Sequence, residues 1–257
     1  MNLIDTPMPS DPLDLTGQVA IVTGGGSGIG AATAGLLAQH GATTVIAGRR
    51  TEMLDGVAAD LTRRGHRCIA VATDVRVDDQ VAALVDTTID QFGRIDIVVN
   101  NAGGSYLFPL ADIPPDRWDN SYALNVRAPY LLTRLAGRHM LDRGSGVFVN
   151  ISSSSAHYGV VGGSAYASAK AALEVFTRQT ALEWGSRGIR ANAIAVGPVA
   201  SVGALRSWER AGILDRLRDI AGTPDDIAWT VLFLASPASR FINGGTIMAS
   251  GRPISPS

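Results

Sequence analysis

The sequence predicts a doubly wound α/β domain: a seven-stranded, mostly parallel sheet with helices on both faces. Three observations predict it. Short apolar runs recur without polar alternation, as strands buried on both faces do. Longer segments with helical periodicity separate them, so strand and helix alternate and the crossovers are right-handed. No linker, low-complexity tract or internal repeat divides the 257 residues, so a single domain is expected over residues 16–257.

The apolar runs place strands at Val19–Val22, Thr43–Ala47, Cys68–Thr73, Ile95–Asn100, Gly146–Ile151, Arg190–Val196 and Thr246–Met248. Helical patterns cover Gly30–His40, Thr51–Arg64, Asp78–Phe92 and the stretch from Arg117 to Leu141. Gly41, Gly65 and Gly93 follow the first three as stop signals. The opening "MNLIDTPMPSDPLDL", residues 1–15, is acidic and proline-rich and lacks the basic and apolar regions of a secretory signal. It reads as a flexible leader, and the chain as cytoplasmic. The segment "SVGALRSWERAGILDRLRDI" after the sixth strand is amphipathic and reads as a substrate lid at about 198–220. Its Leu205, Trp208 and Leu214 either face an apolar ligand or pack on the protein.

Composition narrows the function. A net charge of −1 gives no electrostatic case for nucleic acid or an acidic membrane as partner. No apolar run is long enough to span a bilayer. The single cysteine, Cys68, excludes an internal disulfide framework and cysteine-based metal clusters, and no metal site is expected. Its apolar surroundings predict a buried structural thiol.

Two stretches carry chemistry. The first is "VTGGGSGIG", Val22–Gly30, which joins the first strand directly to the first helix. Gly24, Gly28 and Gly30 take spaced positions, with Ser27 and Ile29 between them. Such a turn lets backbone approach a pyrophosphate while the helix N-terminus offers N–H donors. A tight glycine turn that binds nothing is the plainer alternative, and the strand-before, helix-after context speaks against it. The second stretch is "SAYASAK", Ser164–Lys170. Lys170 is the only lysine, because every other member of the 22 Lys+Arg residues is arginine. Tyr166 and Lys170 lie one helical turn apart on one face. A cation beside a phenol favours the phenolate, so the pair predicts a tyrosine of lowered pKa. A compact ammonium suits that position better than a planar guanidinium.

These motifs, with their wide glycine spacing, resemble the short-chain dehydrogenase/reductase family, and the resemblance extends along almost the whole chain from Thr16. It implies a Rossmann-type fold. "NNAG" at Asn100–Gly103 corresponds to the family's turn after strand four, which makes Asn101, Ala102 and Gly103 candidate cofactor contacts. "TDV" at Thr73–Val75 implies that Asp74 and Val75 border adenine, with a helix N-cap as the alternative role for Asp74. Asn125 in "ALNV" falls where the family keeps a catalytic asparagine. The family's serine lies thirteen residues before its tyrosine, which selects Ser153 over its neighbours Ser152 and Ser154. No Gly-x-Ser-x-Gly elbow surrounds it, so Ser153 is a polariser rather than a nucleophile. His157 is expected to line the substrate mouth.

The resemblance implies hydride transfer between a nicotinamide and a carbonyl or secondary alcohol. Tyr166 is then the general acid or base and Lys170 its partner and ribose ligand. Ser153 binds the substrate oxygen, and Asn125 holds a water that relays protons to Lys170. Relatives specific for NAD carry an acidic residue after strand two; this chain has Gly48, Arg49 and Arg50, which favours NADP(H). After strand six, Val196-Gly197-Pro198 replaces the usual Pro-Gly. Gly197, Val199 and Ser201 are then the nicotinamide-side contacts, with Ser201 in place of a threonine. The family is often tetrameric, so a homotetramer or dimer is expected. Two alternatives stand beside this reading: an enoyl-thioester reductase of the same fold, and a nucleotide-binding regulator without turnover.

Overall fold

The computed structural model describes residues 10–105, 107–210 and 212–251. Seven strands form one sheet: β1 Val19–Thr23, β2 Thr43–Gly48, β3 Cys68–Ala72, β4 Ile97–Asn100, β5 Gly146–Ser153, β6 Ile189–Val196 and β7 Thr246–Ala249. Their spatial order is β3-β2-β1-β4-β5-β6-β7. Every neighbouring pair is parallel, so the sheet is wholly rather than mostly parallel. β4 begins two residues later than the apolar run suggests. Asp96 explains the delay: its carboxylate accepts the Val19 N–H and pairs with Arg94 and Arg143 at the foot of the sheet.

Helices cover both faces. α1 (Gly28–Gln39), α2 (Thr51–Arg63) and α10 (Pro224–Ala235) bury Leu37, Leu54 and Val231 on one side, against Ala20 and Val22. On the other side α3 (Asp78–Phe92), α5 (Ala128–Arg143) and α7 (Ser164–Trp184) bury Leu84, Leu132 and Ala181 against Val19 and Ile21. The alternation along β1 is the pleat at work: successive side chains feed opposite layers. The stop signals at Gly41, Gly65 and Gly93 all adopt positive φ.

The long helix expected over Arg117–Leu141 is three pieces. α4 (Pro115–Tyr122) runs through a π-helical turn, Ala123–Arg127, into α5. Asn125 sits in that turn, and its own Nδ2 satisfies the Ser121 carbonyl at 2.9 Å. Such bulges concentrate at functional sites because they redirect a side chain without ending the helix. Among the described residues, three further α-helices are short: α6 (Ser155–Tyr158), α8 (Val202–Arg210) and α9 (Leu214–Arg218).

Residues 1–9 of the expected leader lie outside the described residues. Its last residues are packed: Leu15 is fully buried and donates to His40, and the Pro12 carbonyl accepts Ala238 N–H. Cys68 is only partly buried because β3 is an edge strand, and burial still raises its thiol pKa. Among the described residues no helix is long and apolar enough to cross a membrane.

Candidate active site

The sheet order reverses direction between β1 and β4, and the crevice opens there, at the C-terminal ends of the strands. It is a cleft of about 1350 Å³. Thr23 builds its floor. The Thr23 hydroxyl accepts the N–H groups of Asn101 and Ala102 at 3.0 Å each, and Asn101 Nδ2 returns a bond to the Thr23 carbonyl at 2.8 Å. The glycine turn after β1 and the Asn-Ala-Gly turn after β4 are thereby held side by side. Only glycine fits the first turn: a Cβ on Gly30 would lie 2.3 Å from the Gly24 carbonyl oxygen, and one on Gly24 2.8 Å from Asn101 Nδ2.

Around this floor the cleft is lined by Gly24, Ser27, Gly28, Ile29, Arg49, Arg50, Asp74, Val75, Asn101, Ala102, Gly103, Ser153, Tyr166, Lys170, Gly197, Val199 and Ser201. Of the expected catalytic and cofactor residues, Gly30 and Asn125 do not line it. Gly30 serves the close contact between turn and helix just described. Asn125 is fully buried behind the wall, where its Nδ2 also donates to the Gly104 carbonyl at 3.1 Å.

At the far end, Arg50 donates to the Ser27 hydroxyl at 2.9 Å, which places a guanidinium and a hydroxyl together beyond β2. Asp74 is not a helix N-cap, since α3 starts at Asp78 with Val77 ahead of it. Its carboxylate grips Arg76 instead, at 2.6 Å and 3.0 Å, and Arg76 reaches on to Asn120. That grip, with Arg49 adding to it, lowers the Asp74 pKa to about 2.

At the near end, Ser153 closes β5, and its hydroxyl favours the ionised form of the Tyr166 phenol. Lys170, only 3% exposed, donates to the Ile151 carbonyl at 2.7 Å and stands 5.7 Å from the centre of the Tyr166 ring. A Cβ on Gly103 would meet Asn125 Oδ1 at 3.0 Å and Lys170 Nζ at 3.2 Å, so the missing side chain keeps a gap between those two groups.

The electrostatics correct one expectation. Burial pushes the Tyr166 phenol above its ordinary value, and the Ser153 hydroxyl only partly offsets this. Burial also pulls Lys170 down to about 8, against the opposing pull of Glu174. In the chain by itself the dominant influence on both groups is desolvation, not their mutual attraction.

His157 is a second correction. It does not line the cleft; its Nε2 lies 3.1 Å from Glu174. Ser152 also bonds Glu174 rather than His157, so the Ser–His–carboxylate order of a hydrolase is not built. Of the three expected lid residues, Trp208 lines the cleft and Leu205 and Leu214 do not; Ile213, Leu217 and Ile220 join it. Sequence reasoning missed Thr23 and Glu174. Thr23 carried no signal of its own, whereas Glu174, one turn beyond Lys170 on the same helix face, could have been flagged.

The model of the short chain dehydrogenase family matches residues 18–210. The chain belongs to the short-chain dehydrogenase/reductase family. It is 36% identical over 244 residues to a peroxisomal 2,4-dienoyl-CoA reductase of Danio rerio, covering 92% of this chain and 81% of that one. It is 39% identical over 239 residues to the cis-4-hydroxycyclohexanecarboxylate dehydrogenase of Sinomonas cyclohexanicum, covering 91% and 95%. Among solved structures, a 7α-hydroxysteroid dehydrogenase complexed with NADH and 7-oxo glycochenodeoxycholic acid superposes with a TM-score of 0.90. That pair is 34% identical and covers 95% of this chain and 97% of the other.

Proposed function

We propose that this oxidoreductase uses NADP(H) and acts on a carbonyl or secondary alcohol, with Tyr166 as general acid or base. The observation that carries the reading is the convergence of Ser153, Tyr166 and Lys170 on one wall of the crevice. A nicotinamide dinucleotide fits the residues present. The Gly24–Gly30 turn leaves backbone bare at a helix N-terminus, where a pyrophosphate is favoured. Asp74 and Val75 border the adenine side, the Asn101–Gly103 turn the middle, and Gly197, Val199 and Ser201 the nicotinamide side. When bound, the nicotinamide supplies hydride in reduction and accepts it in oxidation.

The chain's own residues do the rest. Ser153 donates to the substrate oxygen as negative charge grows there, a contribution of about 3 kcal/mol. Tyr166 gives its phenolic proton to that oxygen in reduction and takes a proton from it in oxidation. With a pKa of about 8, Lys170 is mostly an ammonium at neutral pH, and it stabilises the phenolate left behind. The gap at Gly103 gives a water room to return the proton between Lys170 and Asn125.

The cofactor reading rests on the end of β2. Gly48 offers no carboxylate to repel a 2′-phosphate, and the Arg50–Ser27 pair presents a donor fork and a hydroxyl beside Arg49. The NADH in the 7α-hydroxysteroid dehydrogenase structure belongs to that protein, whereas the residues at the end of β2 in this chain favour a 2′-phosphate. Residues 198–220 serve as the lid, with Trp208, Leu217 and Ile220 giving the substrate an apolar wall. The exposed Tyr130, Val175 and Leu182 on the outer sides of α5 and α7 suit a homo-oligomer.

A second reading, hydride addition to the C=C bond of an enoyl thioester, draws on the name of the Danio rerio relative. The retained Ser153 and Tyr166 favour the carbonyl reading, since both address a developing oxyanion. The intact set also argues against a regulator without turnover. The test is consumption of NADPH and NADH over a panel of ketones and enoyl thioesters. Turnover of ketones with NADPH supports the proposal, and turnover confined to thioesters overturns it. Stronger thermal stabilisation by NAD⁺ than by NADP⁺ would reverse the cofactor assignment.

A further inference from the structure

Glu174 is a carboxylate only 5% exposed, and none of the chemistry above uses it. Burying such a group is costly unless it is paired and hydrogen-bonded. Two neighbours bond it directly: the Ser152 hydroxyl donates to Oε1 at 2.6 Å, and His157 Nε2 stands 3.1 Å from both oxygens. Lys170 lies one turn back on the same helix, where the charge of Glu174 acts on it through space. His157 comes from α6 and Lys170 from α7 itself, while β5 offers hydroxyls and carbonyls but no charge.

The arrangement is regular. Tyr166, Lys170 and Glu174 stand at successive turns of one face of α7. Three consecutive residues of β5 answer them: Ser153 favours the ionised form of Tyr166, the Ile151 carbonyl accepts from Lys170, and Ser152 donates to Glu174. His157, partly exposed, closes the row on the solvent side.

We propose that Glu174 is a positioning residue for the reaction: the buried countercharge of the Lys170 ammonium and, through Ser152 and His157, the clamp that holds the Ser153 strand end and α6 onto α7. The proposal rests on the reading of Tyr166 and Lys170 given above. Glu174 also opposes the fall in the Lys170 pKa caused by burial. Removing its charge therefore lets that pKa fall further, and the ammonium is lost nearer neutrality.

The chain supplies its own probe, since Lys170 is the only lysine. Full-length protein labelled with ε-¹³C lysine gives one resonance whose shift titrates with that amine. In the wild type the midpoint is expected at about 8. Glu174→Gln keeps a hydrogen-bonding group and removes the charge. It should lower the midpoint by about one unit or more, as loss of a nearby opposite charge does. The alkaline fall of kcat for reduction should move with it while KM changes little. Glu174→Met, which fills the site without polar atoms, is the second variant should the first not fold, and it should shift the midpoint in the same direction. His157→Gln retains a donor to the carboxylate and should leave the midpoint near the wild-type value. An unshifted lysine midpoint in both Glu174 variants overturns the countercharge. A shifted midpoint with an unmoved rate profile overturns the positioning role. Because the resonance is read without turnover, a chain that reduces no carbonyl counts against the proposed function alone.

Discussion

At the residue scale the site is a problem of desolvation. A half-buried phenol and a buried amine both resist ionisation: burial moves the phenol further from neutrality and brings the amine, at about 8, closer to it. Ser153 partly offsets this for Tyr166, and Glu174 does so for Lys170. At the other end of the crevice, Arg50→Ala removes the donor beside Ser27. NADPH affinity should fall about 10- to 100-fold, the range of one charge-assisted hydrogen bond, with NADH affinity little changed. Fluorescence titration of both nucleotides measures this, and an equal loss for both would remove the 2′-phosphate assignment. The Tyr–Lys pair was legible in the sequence because its spacing and its solitary lysine both stand out. The direction of the tyrosine shift was not legible. The sequence shows the ammonium four residues away but not the burial that outweighs it.

At the scale of elements, the strand ends and turns do the positioning. The seven strands and the first three helices were readable from apolar runs and stop glycines, because parallel strands buried on both faces leave an unambiguous pattern. The break between α4 and α5 was not readable, since a π-turn inserts one residue without changing composition; Asn125 marks it only once its side chain is seen on Ser121. The same turn holds Asn125 beside the gap at Gly103. Gly103→Ala places a methyl 3.0 Å from Asn125 and 3.2 Å from Lys170. It should lower kcat while leaving melting temperature nearly unchanged, a split that paired kinetics and thermal unfolding would reveal. In the proposed lid, Trp208→Ala removes part of the apolar lining of the cleft. KM for an apolar ketone should rise roughly 10-fold, as for loss of about 1.5 kcal/mol of apolar burial, with kcat changed less. Equal KM values would return Trp208 to a packing role.

At the scale of the whole molecule, the buried amine links the site to stability. The folded chain releases the Lys170 proton at about 8, whereas an exposed lysine holds it to 10.5. Between those values the unfolded state binds the extra proton, so this group makes stability rise with pH. The linkage amounts to about 3 kcal/mol at most, and below pH 8 both states are protonated and the slope vanishes. Lys170→Met should abolish that rise relative to the wild type, as measured by denaturant unfolding at several pH values. The one sheet that carries this site also brings together residues far apart in sequence: Thr23, Asn101, Ser153 and Tyr166 meet only because β1, β4 and β5 are neighbours.

The most direct measurement is NADPH consumption by the wild type and Tyr166→Phe over the same ketone panel, with nucleotide binding followed in parallel. The variant is expected to bind NADPH as the wild type does and to lose roughly 10²- to 10⁴-fold in kcat, the contribution of a positioned acid. Equal rates in the two proteins would contradict that role.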